Sequence, residues 1–562
     1  MVKSLFRNGK SILFRRQTTI LSAAVIMMTL MLASRFLGLA RNWFLARYFG
    51  AGASVDAFNV ALVAPDLLAN VLIAGALSVS FIPIFTTYLN KENKSEAWDL
   101  AGSILNLSLL VYFGIGLFIF LFPRQINALV APGLEDVAIP VAANLTRIVV
   151  FGEMVLIVGI FLSSVLQSFH RFVIPAIAPV AYNLGVLFGV VFLSRFYGIY
   201  GVGIGVVIGA FLHVLVQIFI LRSFGFRFQA HLDFKSPGVV QVIKLSLPRA
   251  IGVGVGQLEW AVSIFLASLL SVGSVSILRY AGDLQNLPVG LFGLSIATAA
   301  LPTLSSEWSG KKIEEFKSTF VTNLHNIIYL ALPTSVLLAV LRIPIVRLVL
   351  GSGLFDWPAT VATATTLSFF AVGIFAQSGF FLVTRAFYAM HDTTTPLRVA
   401  LASLALHIVV SSLFVIFLAR GSTAPVAYLA LAASFSSLFS FLMLFWLLER
   451  RVGGFGSKRF LLPILKIVTA SFVMGLLLYL PLHLRIDGKF VIDYIIDTRR
   501  AVNLLFLTGF VASVGLSCYL LLTWWFKSEE LANFTRLIPD LSKLGKELIY
   551  EEPVDSTHAT KS

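Results

Sequence analysis

Residues 19–43 read TILSAAVIMMTLMLASRFLGLARNW, an apolar stretch that carries two arginines, Arg35 and Arg41, and no carboxylate. About 20 mainly apolar residues suffice for a helix to cross a bilayer, so the stretch predicts a membrane helix. A charged side chain at bilayer depth costs at least a few kcal/mol and usually faces a partner or a water-filled cavity. The two arginines are therefore the first candidates for a functional site.

The composition is that of a membrane protein. Of the 562 residues, 58% are hydrophobic and 12% are charged, and the mean hydropathy is +0.92; soluble domains carry about 25% charged residues. The net charge of +15 is typical of cytoplasmic loops that meet anionic lipid, so we expect membrane lipids and no nucleic acid as partners. The single cysteine, Cys518, excludes a disulfide framework and most cysteine-based metal sites.

The sequence contains no Walker A loop, no H-E-x-x-H motif and no G-x-S-x-G motif. We therefore expect a transporter rather than an enzyme, without a cofactor. Because no ATP-binding motif is present, transport would draw on a Na⁺ or H⁺ gradient, the membrane potential or the substrate gradient.

Apolar segments of about 20 or more residues recur along the whole chain. An even number of them places both termini on one side, and the excess of Lys and Arg in the loops of that side places them in the cytoplasm. The pattern predicts an all-α polytopic membrane protein with about fourteen transmembrane helices, near residues 18–47, 57–88, 98–122, 138–168, 174–194, 198–222, 240–270, 275–304, 319–342, 358–386, 395–418, 425–448, 461–483 and 501–526.

A weak internal repeat divides these spans. FLARYFGAG (44–52) resembles FLASLLSVG (265–273), and FHRFVIP (169–175) resembles MHDTTTP (390–396) at the same offset of about 220 residues. Duplicated bundles are typical of alternating-access transporters, which hold the substrate between the two repeats. We therefore predict a basic interfacial segment, two pseudo-repeated six-helix lobes, two C-terminal helices and an amphipathic cytoplasmic tail, in residues 1–17, 18–222, 240–448, 461–526 and 527–562 respectively.

Polar residues share one face of the first predicted helix. On a helical wheel Ser34, Arg35, Gly38, Arg41 and Asn42 fall within an arc of about 120°, and the two arginines lie about 9 Å apart along the axis. Guanidinium groups bind phosphate oxygens in pairs, so this face suits an anion such as a diphosphate. The alternatives are that each arginine pairs with a carboxylate on a neighbouring helix or extends to the membrane interface.

Charged residues in other predicted spans compete for these roles, and they are Asp56 and Asp66 on the second helix, Arg147 and Glu153 on the fourth, Glu259 on the seventh, Arg279 and Asp283 on the eighth, and Arg385 at the end of the tenth. Arg279 and Asp283 are four residues apart on one helix and could pair with each other. Glu259 has no local partner in the sequence, so it could bind a proton or Na⁺ that drives transport, or pair with an arginine.

Several motifs resemble those of one family. The first two motifs are SRFLGLARNWFLARYFGAGASVDAFNVA (34–61) and PDLLANVLIAGALSVSFIPIF (65–85). The later three are HRFVIPAIAP (170–179), LPVGLFGLSIATAALPTLS (287–305) and RAFYAMHDTTTPLRV (385–399). In this order and spacing they resemble the MurJ (MviN) family, the bacterial lipid II flippases of the MOP exporter superfamily. The resemblance covers about residues 18–450.

The resemblance implies a V-shaped, two-lobed flippase of fourteen helices in the bacterial plasma (inner) membrane. Such a protein moves lipid II, the undecaprenyl-diphosphate-linked peptidoglycan precursor, to the outer leaflet by alternating access, and so serves cell-wall biogenesis and cell shape. We expect it to act as a monomer. Family members place essential arginines in a central cationic cavity, and Arg35 and Arg41 match the pair on the first helix.

The sequence departs from the family at several positions. Neutral residues replace two arginines and a glutamate on the second helix, at Ala69, Asn70 and Ala74, and Asp283 stands where the eighth helix usually carries arginine. Asn42 replaces an acidic residue. We therefore expect Arg279, and Arg147 on the fourth helix, to supply the missing cations, with Ser34 and Asn42 assisting and Glu259 or Asp283 serving ion coupling.

These departures leave other functions open. The protein could move another polyprenyl-linked oligosaccharide, or export drugs coupled to a cation as other MOP members do. A scaffold that transports nothing is a further alternative, because several family arginines are missing.

Overall fold

Helices make up nearly all of the part of the chain that the structure describes. The structure is a computed structural model, and it describes residues 20–73, 81–89, 94–169, 171–222, 232–419, 421–483, 485–486, 489–490 and 501–532. Long apolar segments form helices here because a bilayer offers no partner for free backbone N–H and C=O groups, which a helix pairs internally.

The first half of the fold comprises nine helices among the described residues up to 222. A π-helical segment, Gly189–Leu193, joins α7 to α8, so these two helices form one span. The helices are α1 (Ile20–Phe49), α2 (Ala53–Leu72), α3 (Phe81–Leu89), α4 (Lys94–Leu121), α5 (Pro123–Val130), α6 (Ala138–Ser168), α7 (Val173–Phe188), α8 (Ser194–Tyr197) and α9 (Ile199–Arg222).

The second half begins after residue 236. A second π-helical segment, Val289–Leu294, follows Pro288 and joins α11 to α12. The helices are α10 (Pro237–Ser268), α11 (Ser274–Pro288), α12 (Ser295–Ser309), α13 (Ile313–Val340), α14 (Arg342–Val349), α15 (Trp357–Ala371), α16 (Ile374–Ala389), α17 (Thr394–Phe417) and α18 (Ala427–Val452).

Two further long helices follow, α19 (Ser457–His483) and α20 (Ala501–Trp525). Between them two short strands, β1 (Arg485–Ile486) and β2 (Lys489–Phe490), pair antiparallel, with Arg485 opposite Phe490.

The helices confirm the predicted all-α membrane fold. Among the described residues, twelve spans are long and apolar enough to cross a membrane, and α15 with α16, bent by 44°, makes a thirteenth. Helix α1 covers the first predicted span, so each of the fourteen predicted spans coincides with helix in its described part. The division into two repeated lobes remains a prediction, and residues 1–17 and 533–562 lie outside the described residues.

Within each half, neighbouring helices pack side by side. In the first half α9 packs against α6 and α7, α2 against α6, and α1 against α7. In the second half α17 and α16 pack against α18, α10 against α17, and α12 against α16. The halves meet where α2 contacts α10 and α11, and also where α10 contacts α3, α4 and α5.

One apolar cluster joins the two halves at the end of the bundle where α1 ends and α2 and α11 begin. It contains Leu45 and Val55 of the first half and Val275, Leu278 and Phe355 of the second, all buried. We call this end the closed end. Burial of apolar side chains between helices that lie far apart in sequence stabilises contact of the halves there.

A close backbone approach and a buried carboxylate also hold the two halves together at the closed end. Gly50 has φ +67°, and a Cβ at this position would lie 2.7 Å from the carbonyl oxygen of Leu354, so a side chain cannot be accommodated there. Asp56 of α2, 3% exposed, accepts hydrogen bonds from the backbone N–H of Gly273 (2.6 Å) and of Ser276 (2.7 Å), and from the Ser276 hydroxyl. Asp56 therefore caps the start of α11 across the junction of the halves.

Polar contacts connect α19 and α20 to α13. The Tyr519 hydroxyl donates to the carbonyl oxygen of Tyr329 (2.9 Å). Beyond α20, the carboxylate of Glu530 lies 3.5 Å from His325 Nδ1, and the side chains are 5% and 8% exposed. His325 Nε2 lies 3.1 Å from the carbonyl oxygen of Phe460 on α19. Three separate segments therefore meet at one buried imidazole.

Candidate functional site

A chain of polar contacts links α1 of the first half to α11 of the second. Arg41 donates from Nε (3.1 Å) and Nη2 (3.0 Å) to Oδ1 of Asn42. Asn42, 6% exposed, donates from Nδ2 to Oδ2 of Asp283 at 2.9 Å. Nε of Arg279 lies 3.6 Å from Oδ1 of Asp283. The structure thus brings together four of the predicted site residues, and Arg279 pairs with Asp283.

These residues line a small cavity of about 80 Å³. Its charged side chains are two arginines, Arg41 and Arg279, and two carboxylates, Asp66 and Asp283. The formal charges balance, so the small cavity alone gives no cationic excess. A low-dielectric wall strengthens each of these interactions relative to water.

A larger cavity of about 470 Å³ adjoins the small one. It lies between the halves, because α2 lines one side and α10, α11 and α16 line the other. The residues shared by both cavities are Asn59, Leu62, Asp66, Arg279 and Asp283.

Arg35 lies between the halves and makes no hydrogen bond or ion pair with the described part of the chain. A Cβ added to Gly290, in the π-helical segment after α11, would lie 3.4 Å from Nη2 of Arg35. Asn286, one helical turn before Gly290, lines the larger cavity. Arg35 is thus about one turn from the rim of the larger cavity, although it is not among the residues that line it.

Two predicted site residues lie elsewhere. Ser34 faces α7, where its hydroxyl accepts a hydrogen bond from Asn183 Nδ2 (3.0 Å). Arg147 donates to the carbonyl oxygen of Phe120 (3.3 Å) and to Oδ1 of Asn144 (3.0 Å), and its guanidinium lies 5.9 Å from the Phe120 ring. The structure does not bring Arg147 to either cavity, so Arg147 does not replace the missing family arginines in this arrangement.

The positions on α2 that depart from the family do not lie together at the site. Asn70 lines the larger cavity, and its Nδ2 donates to the carbonyl oxygen of Asp66 (2.8 Å). Ala69 is buried in the apolar core of the first half. Ala74 lies outside the described residues.

Glu259 lines the larger cavity beside a buried histidine. His407 is 2% exposed, and its Nε2 lies 2.9 Å from the hydroxyl of Ser263, which also donates to the backbone carbonyl of Glu259 (3.0 Å). Glu259 therefore shares its part of the cavity with Ser263 and His407, whereas Asp283 is held by Asn42 and Arg279.

Asn59, Trp260 and His407 line the cavities but were not predicted from the sequence, whereas Asp66 was among the competing charges. Asn59, Asp66 and Asn70 form a polar stripe along α2, at spacings of seven and four residues, which place side chains on one face of a helix. This spacing is visible in the sequence and could have indicated the stripe. Trp260 and His407 carry no such signal, because the sequence does not show which face of their helices lines a cavity.

Known proteins resemble this chain in sequence. The sequence model of the family described as "Lipid II flippase MurJ" matches residues 45–496. A probable lipid II flippase MurJ from Thermotoga maritima is 30% identical over 506 residues, which cover 90% of this chain and 96% of the relative. A second, from Buchnera aphidicola subsp. Acyrthosiphon pisum, is 27% identical over 466 residues, or 82% and 89% of the two chains.

Solved structures share the fold. A lipid II flippase MurJ in an inward closed conformation superposes with a TM-score of 0.73 at 24% identity, over 89% of this chain and 98% of the other. An inward-facing multidrug resistance MATE family transporter of the MOP superfamily gives 0.63 at 12% identity, over 76% and 98%. The family match spans most of the sequence and the Thermotoga maritima relative aligns with nine tenths of it, so the chain belongs to the MurJ family of lipid II flippases.

Proposed function

We propose that this protein translocates lipid II across the bacterial inner membrane and that Arg35 and Arg41 bind its diphosphate. One observation supports this assignment above others: Arg41 donates two hydrogen bonds to a neutral amide oxygen, that of Asn42, instead of a carboxylate. A guanidinium without a directly bonded anion at membrane depth gains most from an incoming anion.

Arg35 supplies the positive charge that the small cavity lacks. The two arginines and two carboxylates of that cavity balance, whereas Arg35 stands unpaired within the described chain, near the rim of the larger cavity. A diphosphate that reaches Arg35 and Arg41 together is held at two points about 9 Å apart along α1.

The closed end supports an alternating-access cycle. We propose that both termini are cytoplasmic, which puts the closed end on the outer side and makes this state inward-facing. Asp56 and the apolar cluster around Leu45 and Val275 then form an outer gate, which must separate for lipid II to leave toward the outer leaflet. The bonds of Asp56 are broken in that step.

We also propose Glu259 as the residue that binds the coupling ion. Glu259 lines the larger cavity beside Ser263 and His407, whereas Asp283 is already held by Asn42 and Arg279, so Glu259 is the better placed of these two carboxylates to take up a cation or a proton. Transport by the Glu259→Gln variant, measured under imposed Na⁺ gradients, H⁺ gradients and membrane potentials, tests this role. The variant is expected to lose its response to one of the three, and an unchanged response to all three would contradict it.

Complementation in bacterial cells depleted of their own flippase tests the function. The wild-type chain is expected to restore growth, and the Arg35→Ala, Arg41→Ala double variant is expected to fail at equal membrane abundance. Arg147→Ala is the matched control, because Arg147 lies on a membrane helix but away from both cavities. Growth rescue by the double variant would contradict the proposed roles.

A further inference from the structure

The larger cavity differs in chemistry from the small cavity beside it, whose charged lining is two arginines and two carboxylates. Its volume of about 470 Å³ lies in the range of about 300–1,000 Å³ typical of small-ligand sites. Six amide side chains and one indole are among its lining residues: Asn59, Asn70, Gln257, Gln285, Asn286 and Gln377, with Trp260. Amides both donate and accept hydrogen bonds, as hydroxyl and acetamido groups do.

Trp260 forms an aromatic surface at the wall of this cavity. The guanidinium of Arg279 lies 5.8 Å from the centre of the indole ring, a cation–π distance. On the neighbouring helix, a Cβ at Gly282 would lie 3.4 Å from Cη2 of Trp260, so the glycine leaves room for the ring. Arg279 and Gly282 thus fix the ring in the wall of the larger cavity, next to the small cavity that contains Arg41.

The amides retain unused hydrogen-bonding capacity. Gln285 donates from Nε2 to Oε1 of Gln377 (2.9 Å), which leaves Oε1 of Gln285 and Nε2 of Gln377 to bind a ligand. Nδ2 of Asn59 is buried and has no hydrogen-bond partner among the described residues. An unpaired buried donor is costly, and the terminal amide torsion is soft, so a ligand hydroxyl near Asn59 would be stabilised.

We propose that the larger cavity is a saccharide subsite, in which Trp260 stacks against a sugar ring and the six amides bind its hydroxyl and acetamido groups. The C–H face of a pyranose is apolar and packs on an aromatic ring, whereas its rim is polar. Arg35 and Arg41 hold the diphosphate, and Trp260 with the amides determines which glycan is accepted. This inference rests on the proposed function, since it concerns the sugars of the same substrate.

Binding of two probes to the full chain in lipid nanodiscs tests the inference. One probe is lipid II, and the other is undecaprenyl diphosphate, which lacks the sugars. We expect Trp260→Leu to weaken lipid II binding by about tenfold or more and to leave undecaprenyl diphosphate binding unchanged. Trp260→Phe, which keeps an aromatic face, is expected to stay within about threefold of the wild type.

Trp446→Leu is the matched control, because Trp446 also stacks on an arginine, Arg450 (3.7 Å), but lies outside both cavities. Equal weakening of both probes by Trp260→Leu would contradict the inference, because Trp260 would then act through Arg279 on the diphosphate. Unchanged lipid II binding would contradict it as well. If the wild-type chain binds undecaprenyl diphosphate as tightly as lipid II, the saccharide subsite is contradicted and the proposed function is not. If the wild-type chain binds neither probe, the proposed function itself is contradicted.

Discussion

Asn42 donates a hydrogen bond of 2.9 Å to Asp283, a residue 241 positions later in the chain, and so joins α1 of the first half to α11 of the second. The same amide accepts both hydrogen bonds of Arg41. One neutral side chain therefore orients a cation of one half and an anion of the other.

Replacement of Asn42 by Ala is expected to destabilise the protein by about 1–3 kcal/mol, because Arg41 and Asp283 then lose their hydrogen bonds to the Asn42 amide in a half-buried site. Thermal unfolding in detergent, monitored by tryptophan fluorescence, measures this loss. Asn144→Ala is the control, since Asn144 accepts one arginine bond, that of Arg147, on an exposed face. An equal effect of the two variants would contradict the account.

Replacement of Asp56 by Ala is expected to weaken the closed end. It removes three hydrogen bonds that cross between the halves, and each 1.4 kcal/mol lost shifts a two-state population about tenfold. Spin labels at Ser54 and Leu354, in a Cys518→Ser background, should report a new population at longer distance. The control Asp356→Ala removes a helix cap within the second half only, so its distances should stay unchanged.

The contact between His325 and Glu530 requires a proton. His325 Nε2 must donate to the carbonyl of Phe460, so Nδ1 meets Glu530 favourably only if one of the two groups carries a further proton. Glu530→Ala is expected to lower stability by about 1–3 kcal/mol, whereas Glu530→Gln should keep most of it, because its amide N–H can donate to Nδ1. Thermal unfolding of both variants decides this, and equal losses would contradict it.

Asp392 links stability to pH at a membrane surface. It lies before α17, and although burial alone would raise the pKa of its carboxyl, hydrogen bonds from the backbone and hydroxyl of Thr395, from Arg451 and from Thr394 lower that pKa to about 2. The depressed pKa stabilises the folded state above the ordinary pKa of aspartate, about 3.9, and the gain disappears as the pH falls to about 2.

The Asp392→Asn variant should therefore be less stable than wild type at pH 7, and the difference should shrink between about pH 4 and pH 2. Denaturation at a series of pH values measures this difference. A gap that stays constant over this range would show that the charge of Asp392 contributes nothing.

Much of the fold could be predicted from the sequence, because bilayer thickness sets the length of apolar helices. The helical wheel of α1 also placed Arg41 and Asn42 on a polar face. It could not show that Ser34, on the same face, packs against Asn183 of α7, because a wheel gives the direction of a side chain and not the neighbour it meets.

The position of Arg147 could not be predicted from its helix alone either. It lies six residues before Glu153 on α6, so the two side chains point about 120° apart. Glu153 is buried at 6% exposure, while Arg147 lies against Phe120 on another face. The packing of α6 against α2 and α9 decides which of the two side chains points into the protein interior. The pattern of a single helix carries no information on that packing.

Arg35 and Arg41 are proposed to bind the diphosphate of lipid II during transport. The rate at which fluorescent lipid II flips tests this role in proteoliposomes that contain the wild type, the Arg35→Ala, Arg41→Ala double variant or Arg147→Ala. We predict flipping at wild-type rate by Arg147→Ala and a loss of at least about tenfold in the double variant, because two charge-assisted contacts are removed. Wild-type flipping by the double variant would contradict the account.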